Sequence, residues 1–424
     1  MKYISAEEAV QLIQNGDHIH WPCVAAAPEH LIKALVSRAD RGEIHDIHIS
    51  HLYTEGYADY TLPQYQGIFH LTSYFVGSNV RVATQEGRAD FVPCSLSESA
   101  RMIRNGAQKC DVAMLTVSEP DEEGYVSLGT SVDYMIAAIE KARTVIAQVN
   151  SHMPHTYGDA RIPITKIHAF VRHDAPLADT APMPLTTTDI AIGKHTACII
   201  PDGATLQIGI GNIPTAVLSQ LGDHKHLGVH SEMFTDDVIP LVESGVIDGS
   251  KKKTDPGKLV AMFLKGSRKL YQYVDHNPDV LMKDVWYTNS PFIIAQNPRV
   301  VALNSAIEID LTGQICADSM GTRIFSGSGG QLDFMIGATY SEGGLPIIAM
   351  QSMTGKGKSK IVPTLTAGAG VVTPRTLTQW VVTEFGAVNL YGKSIRERAK
   401  LLISIAHPSQ QEELEKQAKV LHIL

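Results

Sequence analysis

The 424-residue chain has few cysteines, few aromatics and no long apolar run. Its five cysteines (Cys23, Cys94, Cys110, Cys198, Cys316) are scattered, with no C-x-x-C pair. An odd count at such spacings excludes a disulfide frame or a zinc ribbon and reads as reduced thiols in a cytoplasmic protein. No run approaches the roughly 18 apolar residues a membrane helix needs. The amino-terminal stretch carries Glu7 and Glu8 where a secretory leader would be apolar. Basic residues are not in excess either. Lys plus Arg is 36 against 44 Asp plus Glu, a formal net charge of −8, which argues against a nucleic-acid binder. With 44% hydrophobic residues, what remains is a chain able to bury two or three domain cores.

Short apolar runs alternate with helical stretches along the chain. Ser5 with Glu8 forms a capping box, and Ala9, Leu12 and Ile13 supply an apolar helical face. Runs at 112–116, 144–149, 205–209 and 299–303 read as strands. This alternation predicts an α/β protein with a mainly parallel sheet.

Five segments recur in the same order, about 180–200 residues apart. Gly16–Leu31 resembles Gly203–Val217, and Ser50–Glu55 resembles Ser231–Asp236. Asp121-x-x-Gly124 returns as Asp310-x-x-Gly313, Asp133-Tyr-Met-Ile as Asp333-Phe-Met-Ile, and Arg161-Ile-Pro as Lys360-Ile-Val-Pro. We read an internal duplication: two similar open α/β domains, 1–180 and 181–424, with the active site in the interdomain cleft. The copies differ where it matters for chemistry, since His51 in the first aligns with Glu232 in the second.

Gly209-Ile210-Gly211-Asn212-Ile213-Pro214 follows a predicted strand and opens a helix. Its glycines allow close backbone approach to an anion at the helix start, and Pro214 fits a first turn. It is neither a P-loop nor G-x-G-x-x-G; without a ligand it is a tight strand-to-helix turn. Ser326-Gly-Ser-Gly-Gly330 is a second glycine-rich loop, able to supply N–H donors to an oxyanion or to be only a turn. Ser328 lacks the spacing of a nucleophile elbow. Glu232, just past a strand, could serve as base or nucleophile, or simply be a solvated loop residue. The histidines His18, His20, His45, His48 and His51 lie close in sequence, but no Cys or acidic pair completes a ligand set, so no metal is expected. Lys251 to Lys253 reads as a solvated loop, and Gly355 to Ile361 as a basic turn that could meet phosphates.

These motifs together resemble the acetyl-CoA hydrolase/transferase family of CoA-transferases, most nearly its 4-hydroxybutyrate (butyrate-type) members. The likeness spans essentially the whole chain. It is carried by Gly209–Pro214, Ser231–Asp236, Asn304–Gln314 and Ser326–Phe334. It implies the two-domain CoA-transferase fold and Glu232 as the nucleophile that forms an acyl-glutamyl anhydride and then a glutamyl-CoA thioester. It implies CoA contacts from Gly209 to Ile213, from Ile307 and Gly330, and from a lysine near 354–358. Thr354 holds the aligned position there, with Lys356 and Lys358 close by, and Lys356 is taken as the candidate. Gly329, Asn304 and His51 are the candidates for substrate or oxyanion contact. The implied substrates are acetyl-CoA and a short carboxylate, with no permanently bound cofactor. A homodimer is expected only because two-fold dimers are the commonest assemblies. An acyl-CoA hydrolase using the same Glu232, and a CoA-binding regulator without turnover, are the alternatives.

Overall fold

The computed structural model describes residues 2–180 and 183–424. The chain divides into two compact units, Met1–Ala181 with Val260–Thr288, and Pro182–Leu259 with Asn289–Leu424. The segment 260–288, which the sequence assigns to the second domain, therefore belongs to the first unit. The expected junction at residue 181 lies outside the described residues.

The first unit is built on seven parallel strands: β1 (His18–His20), β2 (Ile47–His51), β3 (Phe69–Ser73), β4 (Ala89–Phe91), β5 (Val112–Val117), β6 (Thr144–Val149) and β7 (Ala169–Arg172), in the order β7-β6-β5-β1-β2-β3-β4. All six residues of β5 are buried, as expected of a central strand covered on both faces. The helix Glu29–Asp40 follows β1, and Met135–Lys141 precedes β6.

The second unit contains β8 (Thr205–Gln207), β9 (Gly228–His230), β10 (Val300–Asn304), β11 (Leu345–Ala349), β12 (Trp380–Thr383) and β13 (Gly386–Asn389), in the order β13-β12-β11-β10-β8-β9. Only the terminal β12/β13 pair is antiparallel among these neighbours. Five strands thus repeat in identical order, β7-β6-β5-β1-β2 against β12-β11-β10-β8-β9. The repeat extends to hydrogen bonds. Asp121 accepts the N–H groups of Glu123 and Tyr125, and Asp310 those of Thr312 and Gln314, the same i+2 and i+4 pattern. Gly129 and Gly329 share a left-handed backbone, φ 60° and 54°.

Helix boundaries follow local chemistry. The Ser5/Glu8 capping box forms, and Thr186 with Asp189 makes another at the start of Thr187–Ala197. In each unit the chain runs outward from a central strand and later returns to its other side. That reversal leaves a crevice at the carboxyl ends of β8 and β10, where ligands of open α/β sheets gather.

Candidate active site

Glu232 sits between β9 and the short strand Met233–Phe234. Ser231 anchors the turn: its hydroxyl accepts the Ile208 N–H at 3.0 Å and donates to the Ile208 carbonyl at 3.0 Å. Beneath it the buried Lys252 donates to the carbonyls of Val229 (2.9 Å) and Lys258 (2.7 Å). Lys252 is therefore no part of a solvated loop. It ties the end of β9, and burial lowers its pKa to about 8.

The Glu232 carboxyl meets two donors. Asn289 Nδ2 donates to Oε2 at 3.2 Å, and the backbone N–H of Gly330 also bonds to the carboxyl. Gly330 is the N-cap of the helix Gln331–Tyr340, so that helix points its positive end at the site. A Cβ at position 330 would collide with Glu232 Oε2 and Asn289 Nδ2. Glycine is needed here for close approach, not for an unusual φ, which is −89°. Burial pushes the Glu232 pKa up to about 7; the Asn289 bond opposes this, Asp333 adds to it, and the Gly330 N–H opposes it again. The result is a half-buried carboxyl held in place by donors, with its pKa raised toward neutrality, a state suited to nucleophilic attack.

At the crevice between β8 and β10 lies a cavity of 370 Å³. Gly209, Ile210, Asn212, Ile213 and Pro214 line one side, and Leu303, Asn304, Ser305, Ala349 and Gln351 the other, with Asp189 at its margin. Gly211 adopts φ 107° and caps the helix Asn212–Leu218. Asp189 organises the wall: it accepts from Asn212 Nδ2 (3.1 Å) and Gln351 Nε2 (3.0 Å) while capping its own helix. Burial works against its ionisation, but these bonds and those from Thr186 outweigh it and hold the carboxyl below its ordinary range. Asn304 Nδ2 donates to Gln207 Oε1 at 3.0 Å.

Other candidates stand apart. Lys356 is exposed in the turn 354–358, closed by the Thr354 N–H to the Lys358 carbonyl, and does not line the cavity. Ile307 is half-buried beyond β10, its N–H on the Cys316 carbonyl. Gly329 is buried one residue before Gly330. His51 is in the first unit, fully buried against Trp21, with its ring nitrogens facing Tyr60 Oη (3.1 Å) and the Leu52 carbonyl (3.4 Å). Burial lowers its pKa to about 4. Sequence reasoning missed Asn289, Asp189 and Gln351. Asn289 lies in a Thr-Asn-Ser-Pro stretch that reads only as a helix break.

Residues 1–180 match the N-terminal domain of acetyl-CoA hydrolases/transferases, and residues 266–418 match the C-terminal domain. The chain is 44% identical to 4-hydroxybutyrate coenzyme A transferase of Clostridium kluyveri, covering 97% of this chain and 96% of that protein. The chain belongs to the acetyl-CoA hydrolase/transferase family. Within this family it is also 46% identical to the succinyl-CoA:acetate/propanoyl-CoA:succinate CoA transferase of Fasciola hepatica, over 98% of this chain and 87% of that one. Acetyl-CoA hydrolase of Neurospora crassa is more distant, at 26% over 77% of this chain. Among solved structures, RipA of Yersinia pestis superposes with a TM-score of 0.95 at 35% identity, covering 100% of this chain and 98% of RipA. The 4-hydroxybutyrate CoA-transferase of Porphyromonas gingivalis gives 0.85 at 36%, covering 99% and 98%.

Proposed function

We propose that this enzyme is a CoA-transferase that exchanges CoA between acetyl-CoA and a short-chain carboxylate of the 4-hydroxybutyrate or butyrate type, through a glutamyl-CoA thioester on Glu232. The observation that carries this reading is the half-buried Glu232 carboxyl, held by Asn289 and the Gly330 N–H. The names of the relatives at 44–46% identity support the reaction class.

In the first half-reaction a Glu232 oxygen attacks the acyl-CoA carbonyl. The C–S bond breaks, leaving an acyl-glutamyl anhydride and CoA thiolate. The thiolate then attacks Cδ of Glu232, the anhydride C–O bond breaks, and the first carboxylate departs. A second carboxylate reverses both steps, so kinetics are ping-pong and the thioester's energy is retained without ATP. When Cδ becomes tetrahedral, negative charge grows on an oxygen of Glu232, where Asn289 Nδ2 and the Gly330 N–H stand ready as donors. The cavity lined by Gly209, Ile210 and Asn212 to Pro214 takes part of CoA, and Asn304 lies on its opposite wall. The reaction calls for no resident cofactor. A homodimer in the cytoplasm is the expected setting, in keeping with five free thiols.

The test is intact-mass measurement after mixing the protein with acetyl-CoA or butyryl-CoA without acceptor. An adduct on Glu232, absent in Glu232→Gln and discharged by butyrate or acetate into a new acyl-CoA, is the expected result. Equal discharge by water without acceptor would make it a hydrolase. No adduct and no turnover with any short acyl-CoA would remove Glu232 as nucleophile.

A further inference from the structure

Three side-chain amides line the 370 Å³ cavity of the second unit: Asn212, Asn304 and Gln351. Each directs its NH2 group into the protein. Asn212 Nδ2 and Gln351 Nε2 both donate to Asp189, at 3.1 and 3.0 Å. Asn304 Nδ2 donates to Gln207 Oε1 at 3.0 Å, and Gln207 Nε2 in turn reaches the Leu303 carbonyl at 3.5 Å.

Chemistry forces these orientations. An ionised carboxylate accepts and never donates, so an amide facing Asp189 must present its nitrogen. Asp189 is only 1% exposed, and it also accepts the Thr186 N–H and hydroxyl, at 3.0 and 2.7 Å. Burial opposes its ionisation, and these four bonds overcome it. A backbone carbonyl likewise only accepts, which fixes Gln207 and, through it, Asn304.

On the cavity side, Asn212 Oδ1, Asn304 Oδ1 and Gln351 Oε1 accept no hydrogen bond among the described residues, and none of the three is sealed from solvent. No lysine or arginine lines the cavity among the described residues, and its one carboxylate already has its donors. The cavity therefore offers acceptors without free charge. That suits a neutral ligand segment bearing N–H donors and gives a phosphate no counter-charge. The pantetheine arm of CoA is such a segment, uncharged and with an N–H at each of its amides.

We propose that Asp189 is a positioning residue for CoA: it claims the amide nitrogens of Asn212 and Gln351 and so fixes their carbonyl oxygens as acceptors for the N–H groups of the pantetheine arm. The inference rests on the reading that this cavity takes part of CoA, and is independent of the covalent step on Glu232. With an amide at position 189, one of the two neighbours loses its acceptor. It can then turn over and offer N–H where the arm needs oxygen.

Isothermal titration calorimetry of the full-length protein tests this with two ligands: CoA, and an analogue whose amide N–H groups are replaced by ester oxygens. The parent should bind CoA at least about tenfold more tightly, because ester oxygens would face acceptor oxygens. Asp189→Asn should bind CoA about tenfold more weakly while its affinity for the analogue changes by less than about twofold. Gln351→Met removes one acceptor and leaves Asp189 its other donors; it should reduce the preference for CoA about threefold. Melting curves report whether each variant folds, and Gln351→Met carries the test if Asp189→Asn does not. A merely structural aspartate would weaken both ligands alike in Asp189→Asn, and that result would overturn the proposal. So would a preference unchanged in both variants, or no preference in the parent. No binding of CoA at all would remove the CoA reading and this proposal with it, whereas absence of a Glu232 adduct bears on the covalent step alone.

Discussion

The ends of β2 and β9 occupy the same place in the two repeated sheets, and they have been put to opposite uses. After β9 the chain presents Glu232; β2 ends on His51. Both units keep a buried aspartate downstream, Asp133 and Asp333. In the first unit Asp133 is enclosed, accepting the Cys23 N–H at 3.0 Å, the Ser131 hydroxyl at 3.1 Å and the Tyr134 N–H. Burial raises its pKa to about 7, yet its own neighbours occupy it. His51 is likewise walled in by Trp21 and Tyr60. In the second unit the residue matching Thr130 is Gly330, and its missing side chain is what allows Glu232 and Asn289 to meet the helix start. One fold position becomes core when filled by aromatics and a threonine. It brings a carboxyl against a helix start when a glycine leaves room.

The sharpest way to break this comparison is to give the second unit the first unit's residue. Gly330→Thr should lower transferase kcat/KM by about 10³-fold, because the side chain displaces the carboxyl and disturbs a donor. Steady-state assay with a parallel melting curve checks it, and near wild-type activity would refute the close-approach argument. Asn289→Ala should cost about 10²-fold by removing one donor. It should also move the acid limb of the pH profile upward, since the Asn289 bond holds the Glu232 pKa down.

In the unaltered enzyme kcat/KM should rise with pH through a midpoint near 7, because the attacking carboxyl must be ionised. The same shift has a stability signature. A carboxyl whose folded pKa is raised from 4.5 to about 7 binds protons preferentially in the folded state. Its contribution to stability therefore falls between pH 4.5 and 7 and is level above that. Melting curves of Glu232→Gln should gain on the parent across that interval and hold the gain above it.

The smallest effect on the reaction should come from the matching position in the first unit. His51→Ala should destabilise by about 2–4 kcal/mol through a cavity and the lost contact to the Tyr60 hydroxyl. It should leave the midpoint of the pH profile in place. A moved midpoint would mean that His51 takes part in the chemistry.

Much of this was legible in the chain itself. Periodicity and caps placed β6 at Thr144–Val149, the helix after β1 and the capping box at Ser5, because these depend on neighbours within a few residues. The repeated segments foretold the repeated strand order, and the block Ser231–Asp236 singled out Glu232. Contacts far apart in sequence were another matter. Asn289 stands 57 positions from Glu232 and carries no local signal of its role. Lys252 looked like part of a charged loop until tertiary packing buried it under β9. The return of 260–288 to the first unit is likewise a matter of which surfaces bury each other. Local sequence sets where strands and helices begin, since capping and burial periodicity are short-range. Which donor meets which carboxyl, and how far water is excluded from it, is decided only when distant segments pack, because desolvation depends on the whole surrounding fold.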